Sequence, residues 1–207
     1  MMSLTIPISE AGAFFMKTDP VHVTLSELAR RLDEAGIDYV IVGGMALGYH
    51  GFVRVTQDVD VLLTSVGYTR FTESLVGLGY LPLFPGARKR FKDTQTGVSI
   101  DILTTGEYPG DGEVKPVAFP DPALVFEVID GIRVARLITL IELKLASGMT
   151  APHRLSDLGD VQRLIEIAKL PEDLAESLNP YVRGTYKKLW EGVAASRLLP
   201  NAPDRSL

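Results

Sequence analysis

The chain has 207 residues, 46% hydrophobic and 23% charged, with a formal net charge of −5 and no cysteine. Such a length suits one good-sized globular domain, or a core with a smaller companion. The composition excludes disulfides, thiolate catalysis and Cys-ligated zinc, and the negative balance excludes the global basic field that drives non-specific nucleic-acid binding.

No apolar run approaches the roughly 20 residues of a membrane span, so a cytoplasmic protein without membrane contact is expected. Residues 1–20 read as an irregular arm with a short helix near residues 10–16 and a stop at Pro20. Its apolar stretch, residues 11–16, is too short for a signal peptide. Thr24 and Glu27 have capping-box spacing, and Leu25, Leu28, Leu32 and Ala35 share one helical face, which predicts a helix over residues 25–35 closed by Gly36. A buried strand follows at 37–42, then Gly43-Gly44, a short helix at 45–50 and a loop at 51–57. The second strand, 59–63, is entered through Asp58-Val59-Asp60. A third helix spans 66–78. Short strands at 81–84, 90–93 and 98–103 are joined by turns at Pro85-Gly86 and 94–97. Residues 104–122 are rich in Gly, Pro and charge, and read as a loop at the edge of the first unit.

Beyond it the periodicity changes. A strand at 132–135 precedes a second capping box, Thr139 with Glu142, that opens a helix at 140–147. Further helical segments are expected at 155–168, 171–178 and 181–198, followed by a disordered tail from residue 200. The implied organisation is an arm (1–20), a core (21–125), a mostly helical C-terminal segment (126–199) and the tail (200–207).

Chemistry concentrates in a few residues. Side chains alternate along a strand, so Asp58 and Asp60 point to one face while Val59 and Val61 point to the other. Two carboxylates about 4 Å apart repel by roughly 4 kcal/mol at an effective dielectric of about 20, which a bound cation would offset. A third oxygen ligand is needed for two magnesium ions, and Asp101, on an otherwise apolar strand, is the candidate. The three converge if the strands are neighbours. The glycine pair, where a strand hands over to a helix, offers bare backbone N–H groups to a phosphate. Cation ligands beside a phosphate cradle point to nucleotide chemistry, in which Asp101 lies nearest the attacking hydroxyl.

The run Arg88-Lys89-Arg90 with Lys92 is either a local nucleic-acid patch or a solvated strand edge. His22, His50 and His153 lack paired ligand spacing. Tyr186 and Trp190, at helical spacing, read as core or interface. Ser99 has no histidine partner, which disfavours serine hydrolysis.

Val42-Gly43-Gly44, Arg54-x-Thr56-x-Asp58-x-Asp60 and Asp101 resemble the nucleotidyltransferase (polymerase-beta-like) superfamily. Residues 42–63 are most similar to its AbiEii-type branch, which includes nucleotidyltransferase toxins of toxin–antitoxin and phage-defence systems. The second half adds Leu143-Lys144-Leu145-Ala146, Arg154 and Asp157-Leu158-Gly159-Asp160-Val161. The resemblance spans about residues 39–161. It implies an α/β core with a mixed β-sheet flanked by helices, a C-terminal helical segment, and transfer of a nucleoside monophosphate from an NTP, ATP included, to an acceptor hydroxyl. It further implies Mg2+ (two ions, with Mn2+ as a substitute) on Asp58, Asp60 and Asp101, and nucleotide contacts from Gly43, Gly44, Arg54, Thr56, Lys144, Arg154 and Asp157. The acceptor is a tRNA end, a protein or a small molecule, and an antitoxin protein is an expected partner. Position 44 is Gly where many relatives carry Ser, and Ser156 stands where many carry Lys. Lys144 either reaches the triphosphate or is a surface lysine; Arg154 does the same or pairs with Asp157; Asp160 is read as a structural ion-pair residue. The rival reading is a catalytically inactive binding module, against which the presence of all three acids counts.

Overall fold

A computed structural model describes residues 19–198; the readings made for the N-terminal arm and the tail fall outside these. Among the described residues are six α-helices and seven strands: α1 (Pro20–Glu34), β1 (Tyr39–Ile41), α2 (Gly43–Tyr49), β2 (Asp58–Leu63), α3 (Ser65–Ser74), β3 (Tyr80–Pro82), β4 (Arg90–Asp93), β5 (Ser99–Thr104), β6 (Phe126–Ile129), β7 (Ile132–Ala135), α4 (Leu137–Thr150), α5 (Leu155–Ile167) and α6 (Pro180–Leu198). None of these helices is long and apolar enough to cross a membrane.

The strands form one mixed sheet in the order β3-β4-β5-β2-β1-β7-β6. Two neighbour pairs are parallel, β2 with β5 and β1 with β7, and the rest are antiparallel. The fold is thus the mixed α/β architecture expected. β6 and β7 lie past residue 125 yet continue the same sheet, so the boundary drawn there runs through hydrogen-bonded strands. The strand at 126–129 escapes sequence reasoning because its Phe-Glu-Val-Ile pattern is half exposed and lies on the sheet edge.

Each face of the sheet follows from strand alternation. Phe91 packs edge-on against Phe71 of α3, and the buried Asp93 accepts from the Thr24 hydroxyl of α1. Hence α1 and α3 cover the face shared by Phe91, Asp93, Val59 and Val61, and Asp58, Asp60, Asp101 and Arg90 belong to the other. On that second face α2 packs over β2 and β7, α4 packs on α2, and α5 and α6 pack against α4. Over β4 it is open, with Arg90 and Lys92 exposed.

Several boundaries move for identifiable reasons. α1 begins at Pro20, with Asp19 as N-cap accepting from the Val21 amide at 3.0 Å. Proline is favoured in a first helical turn, so Pro20 starts the helix that it was expected to precede. Thr24 is no cap: it is fully buried in the helix. Thr139 likewise falls inside α4, which starts at Leu137; Glu142 instead accepts from the Asn179 amide. Gly43 and Gly44 form the first turn of α2 rather than a loop before it. α3 ends at Ser74, four residues early. The segment expected as helix over 171–178 is a 3-10 helix, Glu172–Ser177. Tyr186 is a core residue and the half-buried Trp190 packs against the core, their polar ends bonded to the carbonyls of Pro171 and Leu170.

A candidate divalent-cation site beside a cleft

Parallel pairing of β2 with β5 sets Asp60 opposite Asp101 and Asp58 opposite Ser99. Because both strands pleat in phase, all three acids share one face, and one oxygen from each lies within 4.8 Å of the others. This is the convergence the sequence required. The sheet's interior side of the same strands is fully buried aliphatic surface, Val59, Val61 and Ile100, so the backbone carrying the acids is held by core packing.

Each acid has a different environment. Asp58 accepts from the Thr56 hydroxyl at 2.9 Å. Asp101 accepts from Arg90 Nε at 3.0 Å. For Asp60, burial followed by the charges of Asp58 and Asp101 pushes the carboxyl up to about 6, against partial relief from Lys144 and Arg154. Burial and two neighbouring carboxylates oppose its ionisation, an unfavourable arrangement that a cation shared by the three could relieve. The donor set is all oxygen, which suits a hard divalent ion such as Mg2+ or Mn2+.

The raised Asp60 carboxyl gives a pH prediction. Its proton is held to about pH 6 in the fold, whereas a free carboxyl loses it near 3.8. The folded protein is therefore increasingly penalised as pH rises through that window, by an amount on the order of 3 kcal/mol once ionisation is complete. Without divalent ions, Asp60→Asn should stabilise the protein at about pH 7.5 and leave it nearly unchanged below about pH 4. Urea unfolding of both proteins across this range checks it; a gain independent of pH would contradict the assignment.

Gly43 lies against Asp60. A Cβ at position 43 would stand 1.8 Å from Asp60 Oδ2, and the residue has φ +63°. Left-handed backbone costs a non-glycine residue roughly 1–2 kcal/mol, and the clash adds more. Gly43→Ala is expected to destabilise the fold by about 2–4 kcal/mol and to displace Asp60, which a joint measurement of urea unfolding and Mn2+ binding would register. At Gly44 a Cβ would come within 2.7 Å of the Thr56 hydroxyl, the group that holds Asp58.

A cleft of about 590 Å³, counting its solvent-open part, begins at Asp60 and Gly43-Gly44 and runs between α4 and the loop before β6. Arg54, Lys144, Arg154 and Asp157 line it. Thr56 lies outside its lining, on the far side of the glycine pair. Lys144 is buried at 6% exposure and donates to Asp157 Oδ1 at 2.9 Å and Asp160 Oδ2 at 2.7 Å. It is no surface lysine. An ammonium has three donors, and these bonds use two. Asp157 gives its second oxygen to the Ser147 hydroxyl at 2.6 Å, so its carboxylate is committed to fixing Lys144 rather than to Arg154, which is exposed. Asp160 also meets Arg54 Nε at 3.3 Å, the structural ion-pair role anticipated for it. His50 is not part of the cleft lining; its ring is bonded to the Ala135 carbonyl.

Sequence reasoning misses two contributors. The segment 104–122 reads as a loop at the edge of the first unit, but Pro109, Gly110 and Phe119 within it form a wall of the cleft. Gly110 fits there because a Cβ would stand 2.4 Å from the Thr150 hydroxyl of α4. Arg90 stands out in the sequence only as part of a basic run. Counting outward from the 94–97 turn places it opposite Asp101, the register found.

Among solved structures, the chain is similar to ANT(2")-Ia in complex with adenylyl-2"-tobramycin, with a TM-score of 0.50 and 12% identity over 82% of this chain and 97% of that one. It is also similar to the solution structure of ANT(2'')-Ia, with a TM-score of 0.48 and 17% identity over 87% and 96%. A third similarity is to an antigenic nucleotidyltransferase-like protein from Paracoccidioides brasiliensis, with a TM-score of 0.47 and 17% identity over 72% and 76%. No family profile matches the chain, and no curated protein matches it. The first of these likenesses shows that the chain shares the overall fold of ANT(2")-Ia.

Proposed function

We propose that the protein is a metal-dependent nucleotidyltransferase that moves a nucleoside monophosphate from an NTP, such as ATP, to an acceptor hydroxyl. The observation that carries this reading is the gathering of Asp58, Asp60 and Asp101 within 4.8 Å beside a cleft bordered by Gly43-Gly44 and three basic side chains. When bound by the three acids, two Mg2+ ions, or Mn2+, supply charge neutralisation at the triphosphate and acidity at the acceptor hydroxyl. The chain's own residues do the rest. Gly43 and Gly44 let the triphosphate approach the backbone. Lys144, Arg54 and Arg154 bring positive charge to the cleft, and Asp157 holds Lys144 in place. Thr56 orients Asp58.

In the transfer, the acceptor oxygen bonds to the α-phosphorus, the bond from that phosphorus to the α–β bridging oxygen breaks, and pyrophosphate leaves. The hydroxyl proton passes to Asp101. Catalysis of this kind is positioning plus electrostatic stabilisation.

The AbiEii-type motifs of residues 42–63 and 143–161 support placing the protein in that toxin branch, acting in the cytoplasm under control of an antitoxin protein. An RNA end, a protein hydroxyl and a small molecule such as an aminoglycoside are the acceptor classes to separate. Incubation with α-labelled NTPs, Mg2+ and, in turn, total RNA, cell protein and aminoglycosides tests the reading. Label transferred to one of them by the wild type supports it. Absence of both transfer and NTP binding would leave a binding module instead.

A further inference from the structure

We propose that Arg90 is the resident counter-ion of the acid cluster: a positioning residue that holds Asp101 while no divalent cation is bound and releases it when one arrives. This rests on the cation-site reading above and concerns how that site fills. Antiparallel pairing of β4 with β5 sets Arg90 directly opposite Asp101 on the acid face, with Nε 3.0 Å from Oδ1. Thr56 contributes only a neutral hydroxyl to Asp58, and Lys144 and Arg154 act on Asp60 through charge. Among the described residues, Arg90 is the cation hydrogen-bonded to one of the three. Its neighbour Lys89, one residue along and so turned the other way, pairs with Glu107 instead.

Arg90 has the open surroundings that release requires. Its side chain is 53% exposed, against 28% for Asp101, and no described helix covers β4 on this face. An ion pair so exposed adds little to stability. Its effect on the cluster is larger in kind: an incoming divalent ion meets a positive charge already seated on one of its ligands. Arg90 thereby weakens binding of a free cation more than binding of a cation that arrives with a triphosphate, whose negative charge offers the displaced guanidinium a new partner. The site is thus biased to fill with cation and nucleotide together.

The test is Mn2+ binding without nucleotide, followed by the electron paramagnetic resonance of free Mn2+. Arg90→Gln should bind Mn2+ about three- to tenfold tighter than wild type. Arg90→Lys should stay within about twofold of wild type, and Lys92→Gln, an equal charge change farther along the same strand face, should shift affinity by less than about twofold. With a non-hydrolysable NTP present, the gap between wild type and Arg90→Gln should shrink. Unchanged or weaker Mn2+ binding by Arg90→Gln overturns the proposal, as does an equal effect from Lys92→Gln. An Arg90→Gln chain that fails to fold also overturns it, by making Arg90 structural. Wild-type protein that binds no Mn2+, or Asp58→Ala/Asp60→Ala protein that binds it as tightly, removes the cation site itself and the proposed function with it.

Discussion

Asp58→Ala/Asp60→Ala is expected to lower nucleotidyl transfer by at least about 10³-fold while leaving the protein folded, because such a site accelerates transfer mainly by stabilising charge at the reacting phosphate. The two positions contribute differently. The Asp60 carboxyl is pushed up to about 6 by burial and by its acidic neighbours, so removing it relieves repulsion in the metal-free protein. Asp58 gives up one hydrogen bond from Thr56. The thermal midpoint measured without divalent ions should therefore be unchanged or raised by a few degrees, at about 2–4 °C per kcal/mol for a chain of this size. Added Mg2+ should raise the wild-type midpoint and leave that of the variant unchanged. Transfer that survives the double substitution would reject the assignment of the acids.

Lys144→Ala should produce the largest loss of stability. The ammonium is buried and bonded to two buried carboxylates, those of Asp157 and Asp160. Removing one member of a buried ion cluster leaves uncompensated charge and costs about 3–5 kcal/mol, which lowers the thermal midpoint by roughly 6–20 °C. The cost belongs to the abandoned acids rather than to the missing lysine. Combining Lys144→Ala with Asp157→Asn and Asp160→Asn should thus recover part of it, a non-additivity expected for residues in one network. Arg54 partly compensates Asp160 from the loop side, so Asp157→Asn should rescue more than Asp160→Asn. Calorimetric melts of the series decide; a loss below about 1 kcal/mol for Lys144→Ala would mean the acids stay solvated.

What the residues alone disclose depends on how local the determining physics is. Asp58 and Asp60 are legible because strand alternation needs only the strand itself. Asp101 requires an assumption about strand order, which the apolar character of its segment supports and the parallel pairing with β2 realises. The glycine pair is legible as a special backbone site, but not the reason for it, since the contact of Gly43 with Asp60 joins separate segments. Capping spacing misleads twice, at Thr24 and Thr139, because a Thr-x-x-Glu pattern recurs by chance inside helices. The real start of α1, Asp19-Pro20, stays hidden while proline is taken only as a terminator. Lys144 is undecidable locally for a related reason: its two partners lie on the next helix, and no local rule couples them.

One consequence of the strand order concerns the making of the protein. Both strands that carry the acids, β2 and β5, precede residue 105, while β7, which closes the free edge of β1, and α4, which walls the cleft, come later. A growing chain can thus pair its acids before it has anywhere to hold a substrate. The cleft wall is added only with the later helices, so an unfinished polypeptide carries the three acids without the wall that faces them.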